Sequence, residues 1–236
     1  MKLLAIDCSS RLCAACVYDT QARAELGRAV LDLGRGHAEH LMAVVEDALK
    51  DAGVAFAELG AIGVSVGPGS FTGVRVAISA ARGYALALGV PAIGVTTLEA
   101  VAAAARELLG ARNVLAAFDG GRGEIQAALY DAAGSALFAP AIIDLNRAAA
   151  LAKTHNAVLA GTAAEQIAAL LQDAEVTAGP MEATADIAIY ARLAAGKRPG
   201  EKPKPLYLRE PDAKPQAGFV LPRQARTPKS GLGESD

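Results

Sequence analysis

The spacing of apolar residues predicts an ordered series of strands and helices over residues 1–110. Short, nearly continuous apolar runs are typical of strands, whereas apolar residues that recur every third or fourth position indicate a helix. Leu41, Val45 and Ala48 follow the second pattern and fall on one face of a predicted helix. The predicted order is strands at 2–7, 13–18 and 25–31, a helix at 38–52, a strand at 61–66, a helix at 74–88, a strand at 92–95 and a helix at 98–109.

Residues 111–210 repeat this pattern only in part. Strands are predicted at 114–118 and 125–130, joined by a glycine-rich hairpin turn, and the helices at 145–153, 163–171 and 184–195 enclose one short strand at 157–160. We therefore predict an α/β protein with a first lobe at 1–110 and a smaller, truncated second lobe at 111–210. Residues 211–236 contain little to bury and are predicted to form a mostly disordered tail.

Residues 62–75 run from an apolar strand into a glycine-rich turn that opens a helix. The turn lacks the Lys-Ser/Thr pair of a P-loop, and its glycines are spaced one residue too widely for the dinucleotide-binding fingerprint. Backbone N–H groups at such a turn can hold an anion, or the turn can serve only close packing. Both interpretations stay open for its candidate residues, which are Gly67, Gly69, Ser70, Thr72 and Gly73. Ser70 and Thr72 are also predicted to cap the helix that begins near Gly73.

A second polar turn follows the first predicted strand and contains Asp7, Ser9 and Ser10. An acidic residue beside hydroxyl groups can orient metal-bound water and contact phosphate, as in the actin-like ATPases. The same residues can equally satisfy the local hydrogen bonds of a hairpin corner. We weigh these two roles about equally, with a slight preference for the structural one.

The segment GPGSFTGVR at 67–75 resembles the signature of the TsaB (YeaZ) family. Four other segments, at 4–10, 36–39, 119–125 and 205–211, resemble the same family in the same order, so that the resemblance covers about residues 2–214. It implies an actin-like ATPase fold built from RNase H-like lobes. The resemblance also implies a non-catalytic role, because TsaB is the paralogue of the catalytic protein TsaD.

In this family TsaD, TsaE and TsaB act together, and TsaC supplies the adenylate intermediate for threonylcarbamoyladenosine synthesis on tRNA. The resemblance therefore implies a scaffold and activator of TsaD that is needed to modify the adenosine beside the anticodon. It also implies a homodimer when the partner is missing, and it leaves open an ATP or ADP at the partner interface. No other cofactor is expected.

The family resemblance places the partner contact on the first two helices of the first lobe, at about 38–52 and 74–88. Some apolar residues of these helices must pack on the lobe's own sheet, so the sequence alone does not separate them from the partner-facing ones. The candidate interface residues are Leu41, Met42, Val45, Ala48, Leu49 and Leu86.

Composition argues against several other partners. The 23 basic and 25 acidic residues give a net charge of −2, so a strongly basic surface that holds RNA unaided is not implied, and contact with tRNA is expected to pass through the partner. The apolar windows are too short to span a bilayer, and the N-terminus lacks a signal-peptide core. We therefore expect a cytoplasmic protein that does not contact membranes.

The cysteines and histidines give little support for a metal site. Cys8, Cys13 and Cys16 match the opening of a ferredoxin motif, but no fourth cysteine follows, so we interpret them as small buried residues. His37 and His40 lack the further ligands of a zinc site and are interpreted as surface or capping residues. Two alternative classes are an actin-like nucleotide-binding enzyme, either an ATPase or a kinase, and a metallopeptidase-like protein.

Overall fold

The computed structural model describes residues 1–171 and 177–209, and it contains two β-sheets with helices on their faces. The order of elements in the first lobe is the predicted one. The elements are β1 (Lys2–Asp7), β2 (Leu12–Asp19), β3 (Ala24–Asp32), α1 (His37–Asp51), β4 (Leu59–Ser65), α2 (Phe71–Leu88), β5 (Ala92–Val95), α3 (Thr97–Leu109), β6 (Val114–Asp119), β7 (Glu124–Tyr130), β8 (Ala136–Asp144), α4 (Leu145–Thr154), β9 (Val158–Ala160), α5 (Ala164–Leu170) and α6 (Ile187–Gly196).

The two sheets share one topology. The first has the strand order β3-β2-β1-β4-β5 and the second has the order β8-β7-β6-β9. In the first sheet, β1 lies antiparallel to β2 and parallel to β4. In the second sheet, β6 lies antiparallel to β7 and parallel to β9 in the same way. Where the first lobe has β5, the described part of the second lobe has a parallel bridge between Leu159 and Ala178. The predicted actin-like pair of lobes, with the second smaller and truncated, is confirmed.

Two helices cross between the halves of the chain. Helix α3 follows the first sheet in sequence, yet Leu98 and Val101 pack against the second sheet. Helix α6 comes after the second sheet, yet Tyr190 and Ala194 pack against the first. The layers therefore run α1 and α2, first sheet, α3 and α6, second sheet, α4 and α5. The predicted boundary at residue 110 separates the two sheets, while the packing of α3 and α6 crosses it.

The sequence pattern missed β8 and misplaced the start of α2. Pro140 lies within β8 and has no N–H to donate, so it breaks the usual strand pattern. The structure tolerates Pro140 because β8 is an edge strand and its pairing with β7 is interrupted between Ala127 and Leu129. Helix α2 begins at Phe71 and not at residue 74. The tail predicted at 211–236 lies outside the described residues.

No helix within 1–171 and 177–209 combines the length and apolar character needed to cross a bilayer. The same residues contain no group of three or more His, Cys, Asp or Glu side chains placed to hold a metal ion. His37 is the first residue of α1 and is buried, whereas His40 is exposed. The prediction of surface or capping histidines at the helix entrance therefore holds for His40, whereas His37 is buried and the capping position is Gly36.

All three cysteines are free and buried. Cys13 belongs to the core between the first sheet and α1 and α2, and Cys16 to the core on the opposite face, as the alternation of a strand requires. Burial raises the pKa of the Cys16 thiol. The hydrogen bond with Cys13, at an Sγ–Sγ distance of 3.6 Å, together with burial raises the pKa of Cys8.

Because these thiols are buried, we expect negligible reaction of the folded protein with a thiol-specific disulfide reagent at neutral pH. Addition of a denaturant should release all three thiols for labelling. The measurement is the absorbance of the released chromophore with and without denaturant. Rapid native labelling of even one cysteine would contradict the assignment of these residues to the core.

Candidate functional site

The glycine-rich turn packs backbone to backbone against the turn that follows β1. A Cβ atom on Gly69 would lie 2.2 Å from the carbonyl oxygen of Ser9, and one on Gly73 would lie 2.0 Å from the carbonyl oxygen of Cys8. The backbone N–H of Ser70 donates a hydrogen bond to the same Ser9 oxygen at 2.6 Å. Glycine is therefore required at positions 69 and 73, because the backbone of residues 8–9 lies too close for a side chain.

Gly67 has a different requirement, because its φ of 87° lies in the left-handed region that favours glycine. Ser70 caps α2, since its Oγ accepts a hydrogen bond from the N–H of Gly73 at 3.2 Å. Thr72, the other predicted capping residue, lies in the first turn of the helix and is exposed. The capping prediction is thus confirmed for Ser70 and wrong for Thr72.

Asp7 is buried at the end of β1, with 1% of its surface exposed. Its Oδ1 accepts a hydrogen bond from the N–H of Ser9 at 2.8 Å, and its Oδ2 accepts one from the hydroxyl of Thr184 at 2.7 Å. The hydroxyl of Tyr190 lies 2.7 Å from Thr184 Oγ1, and burial raises the pKa of Tyr190. These contacts favour the structural role of Asp7, because both carboxylate oxygens already have partners within the protein.

The serines of this turn also have hydrogen-bond partners within the chain. Ser9 is buried, and its hydroxyl donates to Thr184 Oγ1 at 3.4 Å. Ser10 is partly buried, and its Oγ accepts a hydrogen bond from the N–H of Leu12 at 3.3 Å. The turn is thus stabilised by its own hydroxyl groups.

The turn after β6 repeats this arrangement in the second lobe. Asp119 ends β6 as Asp7 ends β1, and its Oδ1 accepts a hydrogen bond from the N–H of Gly121 at 2.8 Å. Its Oδ2 accepts one from Gln166 at 3.2 Å. These two hydrogen bonds, the first more than the second, lower the pKa of Asp119. Unlike Asp7, Asp119 is exposed.

Residues 203–209, which we call the bridging segment, connect the glycine-rich turn of the first lobe to the turn after β6. The N–H of Leu206 donates to the carbonyl oxygen of Val66 at 2.8 Å, next to the glycine-rich turn. At the other end, Arg209 forms an ion pair with Glu124 and donates to the carbonyl oxygen of Gly120 at 3.4 Å. No apolar repeat predicts this contact, because the bridging segment contains prolines and has no regular secondary structure.

The structure divides the six candidate interface residues into two groups. Leu41, Val45 and Ala48 are buried in the core under the first sheet, so they have almost no surface to offer a partner. They are corrected to core residues, and Leu49 is partly buried against the same core. The two exposed candidates are Met42, with 61% of its surface accessible, and Leu86, with 81%.

Beside these two residues the exposed surface of α2 includes the small residues Ser79, Gly83 and Ala87, with Arg82 at its edge. Gly83 is exposed, and a Cβ placed on it would meet no atom within 4 Å. Tyr84 packs edge-on against Phe56 at 5.2 Å, and its hydroxyl lies 2.7 Å from the sulfur of Met42. We call this surface the outer helix face, and its residues are Met42, Ser79, Gly83, Leu86 and Ala87.

A cavity of about 580 Å³ adjoins the outer helix face where α2 ends. Its walls are largely apolar and include Leu86, Val90 and Pro91, while Arg82 and Lys202 add positive charge at its edge. The exposed apolar surface at this end of α2 is therefore continuous with a depression that a protruding side chain could fill.

The shared strand order, the polar turn after the first strand of each lobe and the helices between the sheets define the actin-like class of bilobal α/β proteins. The family model described as TsaD, tRNA N6-adenosine threonylcarbamoyltransferase, matches residues 32–195. A solved structure from Pseudomonas aeruginosa, YeaZ, matches with a TM-score of 0.70 and 29% identity over 88% of this chain and 99% of that chain. The chain belongs to the TsaD family and, within it, to the TsaB (YeaZ) proteins.

Two relatives show how far this similarity extends. The Escherichia coli (strain K12) protein named tRNA threonylcarbamoyladenosine biosynthesis protein TsaB is 37% identical over 133 residues, which are 55% of this chain and 55% of that protein. The chain thus matches about half the length of this relative. An uncharacterized protein of Mycobacterium bovis, Mb3455c, is 34% identical over 224 residues, or 91% of this chain and 95% of that protein.

Substitution of the packed glycines tests the contact between the two turns. We expect Gly69→Ala and Gly73→Ala each to destabilise the fold by about 1–3 kcal/mol or more, because the added Cβ overlaps a backbone oxygen. At this chain length each kcal/mol lowers the melting temperature by about 2–4 °C, and the valine variants should melt lower still. The measurement is thermal unfolding followed by circular dichroism.

Gly83→Ala is the matched control, because it lies in the same helix as Gly73 but has open space around its Cβ position. It should stabilise the protein by about 1 kcal/mol through helix propensity. If Gly69→Ala and Gly73→Ala melt at the parent temperature, close packing of the turns is not what requires glycine there.

Proposed function

We propose that this chain is the non-catalytic subunit of a complex that synthesises threonylcarbamoyladenosine on tRNA, where it acts as a scaffold and activator of a TsaD-type catalytic partner. Family membership supports the pathway, and the name of the E. coli relative refers to it. The observation that carries the scaffold role is the state of Asp7, whose buried carboxylate already accepts a hydrogen bond on each oxygen from within the chain.

The glycine-rich turn supports the same conclusion. In a phosphate-binding turn, backbone N–H groups face an open space that the anion occupies. Here the N–H of Ser70 donates to the Ser9 carbonyl oxygen, and the turn packs against the backbone of residues 8–9. The chain's own backbone therefore occupies part of the space that a phosphate would need.

The outer helix face is the proposed docking surface for TsaD. Exposed apolar side chains on an ordered helix lose unfavourable contact with water when a partner covers them. The small residues Ser79, Gly83 and Ala87 allow a partner helix to approach closely, while Met42 and Leu86 provide apolar contact. In the absence of TsaD, the same face is proposed to pair two copies of this chain. TsaE is proposed to join the complex, and TsaC to supply the adenylate.

Reconstitution tests the proposed role directly. We expect the isolated chain neither to modify tRNA nor to hydrolyse ATP above background, because the candidate nucleotide turns are occupied by internal contacts. When TsaD, TsaC and TsaE from the same organism are supplied, modification measured by nucleoside mass spectrometry should require this chain. Full modification without it would overturn the proposal, and ATP hydrolysis by the isolated chain would favour an actin-like enzyme instead.

The docking surface can be tested by placing charges on it. Met42→Glu and Leu86→Glu should each weaken binding to TsaD by about 2 kcal/mol or more, because a carboxylate would be desolvated in the interface. Both positions are exposed, so the fold should be unaffected. The measurement is calorimetric titration of each folded variant into TsaD.

Leu137→Glu is the control for these variants, because Leu137 is also an exposed leucine but lies on β8 of the second lobe. It should bind TsaD with the parent affinity. Gly83→Trp adds a steric test, since a Cβ at this exposed position meets no atom of the isolated chain, whereas the indole would obstruct a closely packed helix. Parent affinity in all three outer-face variants would place the interface elsewhere.

A further inference from the structure

Phe71, Arg75 and Tyr207 form an ordered, exposed stack beside the glycine-rich turn. The guanidinium carbon of Arg75 lies 3.8 Å from the centre of the Phe71 ring and 5.5 Å from the centre of the Tyr207 ring. The two ring centres are 6.0 Å apart with an angle of 38° between their planes. The bridging segment thus places Tyr207 against the first turn of α2.

A hydrogen bond fixes this arrangement. Arg75 Nε donates to the Tyr207 hydroxyl at 2.6 Å, which holds the guanidinium over the Phe71 ring and beside Tyr207. Within the described residues, the two terminal nitrogens of Arg75 have no hydrogen-bond or ion-pair partner. Phe71 and Tyr207 pack against each other, yet 60% of the surface of Phe71 and 53% of that of Tyr207 stay exposed. The stack therefore offers flat aromatic surface and charged N–H donors at the same place.

This combination matches a nucleobase joined to a phosphate. Bases stack on aromatic rings and on guanidinium planes, and the fork of an arginine matches phosphate oxygens. We propose that the Phe71–Arg75–Tyr207 stack binds an unpaired base of an RNA strand, with Arg75 contacting an adjacent phosphate. That the strand is RNA rests on the proposed function in tRNA modification, whereas the stacking chemistry does not.

The open shape of the stack favours a strand over a free nucleotide. A small ligand is usually held in a cavity that buries most of its surface, whereas Phe71 and Tyr207 form an exposed platform. A base within a strand needs only one face covered, because neighbouring nucleotides also hold it in place. A regular duplex does not fit, since its bases are already paired and stacked.

The proposed contact agrees with the charge of the chain. A net charge of −2 gives little general attraction to RNA, so binding by the isolated chain should be weak. Stacking depends less on salt than phosphate contacts do. We therefore expect the affinity for RNA to fall with salt concentration only as steeply as one phosphate contact requires, the contact made by Arg75. The stack would thus add one specific contact to a complex whose partner holds the rest of the tRNA.

A single tryptophan can report this contact, because the chain contains no natural tryptophan. Phe71→Trp keeps an aromatic ring in the stack, and its fluorescence should be quenched when a base stacks on it. The isolated variant is titrated with a short single-stranded RNA, with the blunt duplex of the same sequence and with ATP. Leu137→Trp, on the second lobe, is the matched control.

We expect quenching of Phe71→Trp by single-stranded RNA, with much weaker effects of the duplex and ATP and no quenching of Leu137→Trp. In the Phe71→Trp background, Tyr207→Ala and Arg75→Ala should weaken binding about fivefold or more, whereas Tyr207→Phe, which keeps the ring, should bind close to the parent. Circular dichroism checks that each variant is folded. Equal quenching by ATP, by the duplex or in the control variant would overturn the proposal, as would no quenching at all.

The companion measurement is binding of Arg75→Ala and Tyr207→Ala, in the same Phe71→Trp background, to TsaD. Unchanged TsaD affinity together with weakened RNA binding supports the RNA contact. Weakened TsaD affinity with unchanged RNA binding would make the stack a protein contact and overturn the proposal. Because the RNA titrations use this chain alone, they can fail while the TsaD complex still forms, so the two proposals are tested separately. A DNA strand of the same sequence shows whether the stack distinguishes the sugar.

Discussion

The packing of two turns without intervening side chains is the constraint on which the first lobe depends. Gly69 and Gly73 allow the backbone after β4 to touch the backbone after β1, and no other residue fits at either position without moving a carbonyl oxygen. This contact fixes where α2 begins and therefore the direction of the outer helix face. It also fixes Phe71 and Arg75, which follow directly. The same glycines thus position both surfaces to which we assign a partner.

The exchange of α3 and α6 explains how a small second lobe remains stable. Among the described residues its sheet has four strands, with a single bridge where the first sheet has β5, and α3 from the first half of the chain covers one face of it. In return, α6 covers the first sheet, and the ion pair of Arg28 with Asp186 joins β3 to the start of α6. Burial of the apolar faces of both sheets therefore requires the whole ordered chain, which couples the lobes more strongly than a surface contact would.

Local chemistry made much of this predictable from the sequence. The order of strands and helices along the first lobe follows from the spacing of apolar residues. The cap at Ser70 and the close approach at the glycines agree with residue types that have few other uses at such positions. The side of a helix that faces a partner did not follow, because Leu41 and Met42 are both apolar and only the fold shows which of them is buried. The stack of Arg75 with Tyr207 was equally hidden, since 132 positions separate these residues in sequence.

The repeated lobe structure also suggests why function moves to the outside of this molecule. In an actin-like protein with two equivalent polar turns, a nucleotide is held between the lobes by groups that remain free. Here Asp7 accepts hydrogen bonds from Ser9 and Thr184. Asp119 accepts hydrogen bonds from Gly121 and Gln166, and Arg209 forms an ion pair with Glu124. These contacts, most of which lie within one lobe, leave fewer free groups at the two turns for a nucleotide. Under the proposed scaffold role, a partner that docks on the outer helix face would meet a helix, α2, whose start is already set by the packing of Gly69 and Gly73.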